Sequence, residues 1–186
     1  MSTLAVNTIQ AQTGTDVGIA SGHELVINNS SAASLRAPGM AINSVEHQWG
    51  NTTVATSQSW TTLSGSAYTY TTKAANSKIM IIAMGQGYQD AGGTSGFGIG
   101  VFRGTTRLYS PYSNWGMGLH AQTITYGATP WHIQHLDAPG VAAGTALSYS
   151  LSVIFHTTGQ SAHFNYAGSW SGLSNFSSMI ITEIAQ

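Results

Sequence analysis

The chain has 186 residues, room for one full-sized domain and a small appendage but not for two independent cores. Only 6% of the residues are charged, against roughly 25% in ordinary soluble domains, so the exterior must be made from Ser, Thr, Asn, Gln and Gly. A net charge of -1 with Arg36, Lys73, Lys78, Arg103 and Arg107 scattered excludes the basic footprint that nucleic acid or an anionic membrane draws on, and the absence of cysteine excludes disulfides and thiolate metal sites.

The opening MSTLAVNTIQ has no basic stretch followed by an apolar one, and no run approaches the ~18 apolar residues of a membrane span. The chain is therefore expected to be soluble, with no secretion signal and no membrane insertion. Residues 1–44 contain the short strand-like fragments LAVNTI, VGIA and ELVI, then SSAASLRAPGMAINS, a small-residue stretch that reads as a connector. Ahead of the connector, TGTDVGIASGHELVI at 13–27 alternates apolar and polar residues and breaks at two glycines, the pattern of two short strands and a turn. Its apolar face needs a cover. Ordering each residue costs about 1–2 kcal/mol of backbone entropy, and the apolar side chains Leu4, Val6, Ile9, Val17, Ile19, Leu25, Val26 and Ile27 are too few to offset that over residues 1–27. An isolated small sheet is marginal in water. Either the rest of the same chain covers this segment or identical segments of neighbouring subunits do, wrapped around a shared axis. The connector, which lets the segment project from the body, favours self-association.

From Val45 onward the apolar content rises and strand-like segments recur. They are VEHQW at 45–49, AYTYTT at 67–72, KIMIIAMGQGY at 78–88, FGIGVFRG at 97–104, LHAQTITYG at 119–127, TPWHIQHLD at 129–137, LSYSLSVIFH at 147–156 and SSMIITEIA at 177–185, with AHFNYAG at 162–168 a weaker ninth. No stretch of helical length carries a 3.6-residue period with caps, and no repeat of solenoid or propeller length occurs. The fold is expected to be all-β, an antiparallel sandwich or jelly roll over 45–186, with an up-and-down barrel the next choice.

The opening stretch MSTLAVNTIQAQTGTDVGIASGHELVI resembles the starts of bacteriophage fibre proteins, notably those of cyanophages. The order SKIMIIAMG at 77–85, VFRGTTRLY at 101–109, HLDAPG at 135–140 and SSMIITEIAQ at 177–186 is similar to the knob-like C-terminal domain of phage tail fibres, itself like the trimeric jelly rolls of the tumour-necrosis-factor and complement C1q superfamily. The resemblance implies a homotrimer with a short β-stem or prism over 1–44 and a distal jelly-roll head, located on the virion and made in the host cytoplasm. It would make Val6, Ile9, Val17, Ile19, Leu25 and Ile27 the core of the trimeric stem, and other virion proteins the partners of the N-terminal segment. Three functions stay open: a short tail fibre in host attachment, a capsid decoration protein, and a lectin-like carbohydrate-binding module.

His132 and His135 stand three apart, so in a strand they point to opposite faces and make no ligand pair; His23, His47, His120, His156 and His163 are scattered, and a metal on a trimer axis stays open. The acids are Asp16, Glu24, Glu46, Asp90, Asp137 and Glu183, and none forms an evident general acid–base pair. Asp137, just before Ala-Pro, reads as a turn cap, and Glu183 as paired with a polar neighbour or solvated. There is no Gly-x-Ser-x-Gly elbow, and the run GQGYQDAGGTSGFGIG at 85–100 lacks the phosphate-loop Lys. No catalytic residue, cofactor or resident metal is expected. The most suggestive stretch is RLYSPYSNWGMGLH at 107–120, where Tyr109, Tyr112 and Trp115 would form a platform for a host-surface glycan or protein, or else pack under their own loop or in a subunit interface.

Overall fold

The computed structural model describes residues 38–89, 97–109, 129–155, 158–159, 161–165 and 177–186. The expected stem residues Val6, Ile9, Val17, Ile19, Leu25 and Ile27, the strand expected at 119–127, and Tyr112 and Trp115 lie outside the described residues. The strands are β1 (Ala41–Trp49), β2 (Thr52–Ala55), β3 (Thr61–Thr62), β4 (Tyr68–Thr71), β5 (Lys78–Gln89), β6 (Phe97–Arg103), β7 (Thr106–Tyr109), β8 (Thr129–Asp137), β9 (Ala146–Phe155), β10 (Ser161–Phe164) and β11 (Ser177–Ile184). All pairings are antiparallel, and no helix occurs among the described residues.

The long strand β5 organises the first sheet. β8 runs along one edge of it, β11 and then β10 along the other, and β1 and β2 lie outside β11 and β10. In the second sheet β9 is central, with β6 and β7 on one side and β3 and β4 end to end on the other. The eleven segments thus fill four strand positions in each sheet, and the chain passes from sheet to sheet after β2, β4, β5, β7, β8 and β9. This interleaving of two antiparallel sheets is that of a jelly roll.

Register explains how the core closes. Read across β1, β11, β5 and β8, the inner face of the first sheet presents the rows Asn43, Glu183, Ile79, Asp137; Val45, Ile181, Ile81, His135; His47, Met179, Ala83, Ile133; and Trp49, Ser177, Gly85, Trp131. Side chains on β5 shrink from Ile79 and Ile81 through Ala83 to Gly85 and Gly87, while their surroundings grow to Trp131, Phe164 and Phe97. A methyl group on Gly85 would sit 2.6 Å from Trp131 Cζ2 and collide with Ser177 Oγ, and one on Gly87 would sit 2.8 Å from the Phe164 ring. Against this face pack Tyr149, Leu151, Val153 and Phe155 of β9 with Phe97, Ile99 and Val101 of β6, all buried. Each such side chain stabilises the fold by roughly 1.5–3 kcal/mol.

The break between β1 and β2 is held by one side chain. Asn165, in the left-handed region at φ 62°, donates from Nδ2 to the carbonyls of Trp49 (3.2 Å) and Gly50 (2.9 Å) and accepts from Ser177 Oγ at its Oδ1. Asn tolerates this backbone conformation because its short amide bonds locally.

The expected strands at 78–88, 97–104, 129–137, 147–156 and 177–185 match β5, β6, β8, β9 and β11 closely. β1 starts at Ala41 rather than Val45, inside the stretch read as connector, because pairing with β11 continues through Gly39 N to Ala185 O and Ala185 N to Met40 O. β2, β3 and β7 were not anticipated: they are two to four residues long, and are ordered by pairing with β10, β9 and β6.

Gly85→Ala is expected to lower unfolding stability by about 1–3 kcal/mol through overpacking. Gly50→Ala, whose added methyl meets nothing within 4 Å, is expected to stay within about 0.5 kcal/mol of wild type. Denaturant titration of both variants checks the pair.

Candidate functional site

The polar row at one end of the core holds two buried carboxylates. Glu183 on β11 is wholly inaccessible. Its Oε2 accepts from Tyr70 Oη at 2.7 Å and Lys73 N at 2.8 Å, and its Oε1 from Ser77 Oγ at 2.6 Å and Ala74 N at 2.8 Å. Burial by itself pushes this carboxyl up, but the hydrogen bonds from Ser77, Tyr70, Lys73 and Ala74 together outweigh it and hold the group below 4.5. The Tyr70 phenol is pushed up to about 12, by burial first and then by Glu183. Asp137, two strands away across Ile79 and so about 10 Å distant, accepts from Arg103 Nη1 at 2.8 and 2.7 Å and from Tyr149 Oη at 2.8 Å. It is not a turn cap: it joins β8 of the first sheet to β6 and β9 of the second. Burial, and then Asp137, push the Tyr149 phenol up. These carboxylates are enclosed by donors that fasten the sheets and the turn at 72–77, and the arrangement is structural in its chemistry.

Tyr109 is placed by a bulge. Val101 pairs with Tyr109 but Phe102 with Arg107, leaving Leu108 as the extra residue. Tyr109 packs partly buried against the core, its ring stacked on His135 at 5.5 Å between centroids, while Arg107 remains on the outer face. His132 is exposed and His135 half-buried, on opposite faces of β8. Burial lowers the pKa of His135, with Asp137 acting against it. Among the described residues no group of three or more His, Cys, Asp or Glu side chains is placed to hold a metal ion.

The two outer faces differ in chemistry. On the first sheet, the rows Thr182, Met80, Leu136 and Ile180, Ile82, Gln134 and Ser178, Met84, His132 set Met80, Ile82, Met84, Ile180 and Leu136 side by side. Met84 is 43% exposed and Leu136 44%. A solvated antiparallel sheet ordinarily alternates apolar-in with polar-out, and this strip departs from that rule at its centre.

The second sheet turns hydroxyls outward instead. Thr62, Thr69, Thr71 and Ser148 are exposed, whereas farther along the same face Ser150, Ser152 and Ile154 of β9 and Gly98 and Gly100 of β6 are buried. Trp60 crosses this floor: its Cη2 and Cζ3 lie 3.1 Å from where a Gly100 methyl would be. The Phe102 ring meets Trp60 edge-on at 5.6 Å, and the Arg107 guanidinium lies over the indole at 5.5 Å. Sequence reading missed Trp60 and Phe102. The one signal was the outward glycine in FGIGVF, which leaves room for a ring, and only strand pairing tells which ring fills it.

No family model and no curated protein matches the chain. Among solved structures it is similar to a chain from the structure of the infectious bursal disease virus Gx strain, 10% identical with a TM-score of 0.39, the match covering 87% of this chain and 42% of that one. The chain thus spans less than half the length of that neighbour.

Acidification is expected to lower the melting temperature in two stages. His135, held below 6.5, contributes stability that is present above 6.5 and lost as pH falls from there toward its folded value; Glu183 contributes stability present above 4.5 and lost as pH falls through its lower folded value. His135→Gln should remove the upper stage. Glu183→Gln should remove the lower stage and cost about 1.5–3 kcal/mol at neutral pH, measured by thermal melts across the pH range.

Proposed function

We propose that this chain is a non-enzymatic bacteriophage virion protein, a short homotrimeric tail fibre that takes part in attachment to the host surface. The observation that carries the reading is the apolar strip of Met80, Ile82, Met84, Ile180 and Leu136 on the outer face of a jelly-roll sheet. Water contact with such a strip is unfavourable, and further copies of the chain would remove it while the rim residues Glu46, Lys78 and Gln48 stay wet. The fibre-like opening and the knob-like closing segments supply the virion context. A nearly uncharged hydroxyl-rich exterior suits a particle surface met by variable salt, since little of its stability would rest on screened ion pairs.

Sedimentation of the full chain is expected to give a trimer. Ile82→Lys combined with Ile180→Lys is expected to weaken assembly by roughly thirtyfold or more while leaving the fold intact, because charge is placed at the centre of the strip. The trimer should compete with phage for host adsorption; a well-folded trimer without competition would remove the attachment role, and counting copies per particle separates a fibre from a capsid decoration protein.

A further inference from the structure

We infer that the outer face of the second sheet is a binding site for a neutral glycan, with Trp60 and Phe102 as its ridge and the hydroxyls of Thr62, Thr69, Thr71 and Ser148 as its floor. Sugars offer both alternating C–H faces and hydroxyl edges, so a site that recognises them pairs aromatic surface with uncharged donors and acceptors that can serve either role. This face has both. Thr69 stands opposite Ser148, Thr71 opposite Ala146 and Thr62 opposite Ser152, giving a row of hydroxyls along the junction of β9 with β3 and β4. On the other side of β9, Phe102 pairs with Ser150 and Gly100 with Ser152, so the ridge rises directly beside that row.

Charge points the same way. Among the described residues, Arg107 lies beside the ridge, its guanidinium over Trp60, and the floor residues Thr62, Thr69, Thr71, Ser148, Ser150 and Ser152 are all uncharged. The face also differs from the apolar strip of the first sheet, whose chemistry fits another protein surface instead of a hydrated polymer. Ser150 and Ser152 are 9% and 3% accessible, so the groups a ligand would meet are the exposed Thr and Ser hydroxyls and the ring edges above them.

The inference names the ligand class for the attachment reading and rests on that reading only for where the glycan comes from. The test is affinity electrophoresis of the full-length protein through gels containing neutral gluco-, manno-, galacto- or N-acetylhexosamine polysaccharides. Retardation in at least one gel is expected, weakened about tenfold or more by Trp60→Ala and by Thr69→Lys and unchanged by Gly50→Lys, which places the same charge at the exposed turn between β1 and β2, where an added side chain meets nothing within 4 Å. Thr69→Lys occupies the hydroxyl row without touching the ridge, so it decides the matter if Trp60→Ala does not fold. No retardation of the folded protein in any gel, or retardation that Thr69→Lys retains in full, overturns the site. Phage competition without glycan binding would sink this inference and leave attachment standing; glycan binding without competition would do the reverse.

Discussion

β5 carries Ile79, Ile81, Ala83, Gly85 and Gly87 along its inner face, and the rest of the structure depends on that decline in size. Strands of one sheet lie ~4.8 Å apart, so a side chain as large as Trp131 fits inward only where its neighbour gives up volume. Gly85 gives it, and Gly87 does the same for Phe164 and Phe97. Interiors are packed as densely as organic crystals, which makes this taper a matching of volumes and not a gap. At the opposite end Ile79 sits between Glu183 and Asp137, and there closure depends on polar contacts that cross between sheets. One end of the sandwich is sealed by rings and the other by hydrogen-bonded carboxylates.

Outside this filled core the described sheets present two outer faces, and these are unlike each other. The first sheet turns Met, Ile and Leu outward from β5, β11 and β8; the second turns Thr and Ser outward from β4 and β9 and sets Trp60 across Gly100. Burying the apolar strip against sister copies would leave the hydroxyl face directed away from the assembly. In that arrangement self-association and ligand contact are separate properties of separate sheets, and substitutions in one should leave the other unchanged.

Much of the scaffold was legible in the residues. KIMIIAMGQGY, TPWHIQHLD, LSYSLSVIF and SSMIITEI are long enough, and alternate clearly enough, for period two to reveal them as β5, β8, β9 and β11. The same alternation by itself sets His132 and His135 on opposite faces of β8. β2 and β3 escaped notice because Thr-rich segments of two to four residues have no periodicity to read; their order comes from pairing with β10 and β9. Tyr109 shows a deeper limit. Its side of the sheet is fixed by the bulge at Leu108, an offset created by pairing with β6, so no count along the strand alone gives it. Trp60 lies outside every expected strand, and what makes it part of a surface is Gly100, forty residues on. Glu183 sits within a run that reads as an ordinary strand, and its four donors, Tyr70, Lys73, Ala74 and Ser77, come from residues more than a hundred positions earlier.

The claim that sister copies cover the strip on the first sheet can be tested on two methionines of equal exposure. Met40 and Met84 are each 43% accessible in the single chain, but only Met84 lies on the strip. Hydroxyl-radical footprinting of the full-length protein at assembly concentration should oxidise Met84 several-fold more slowly than Met40. Equal rates for the two would show that the strip faces water, and the account of self-association built on it would be wrong.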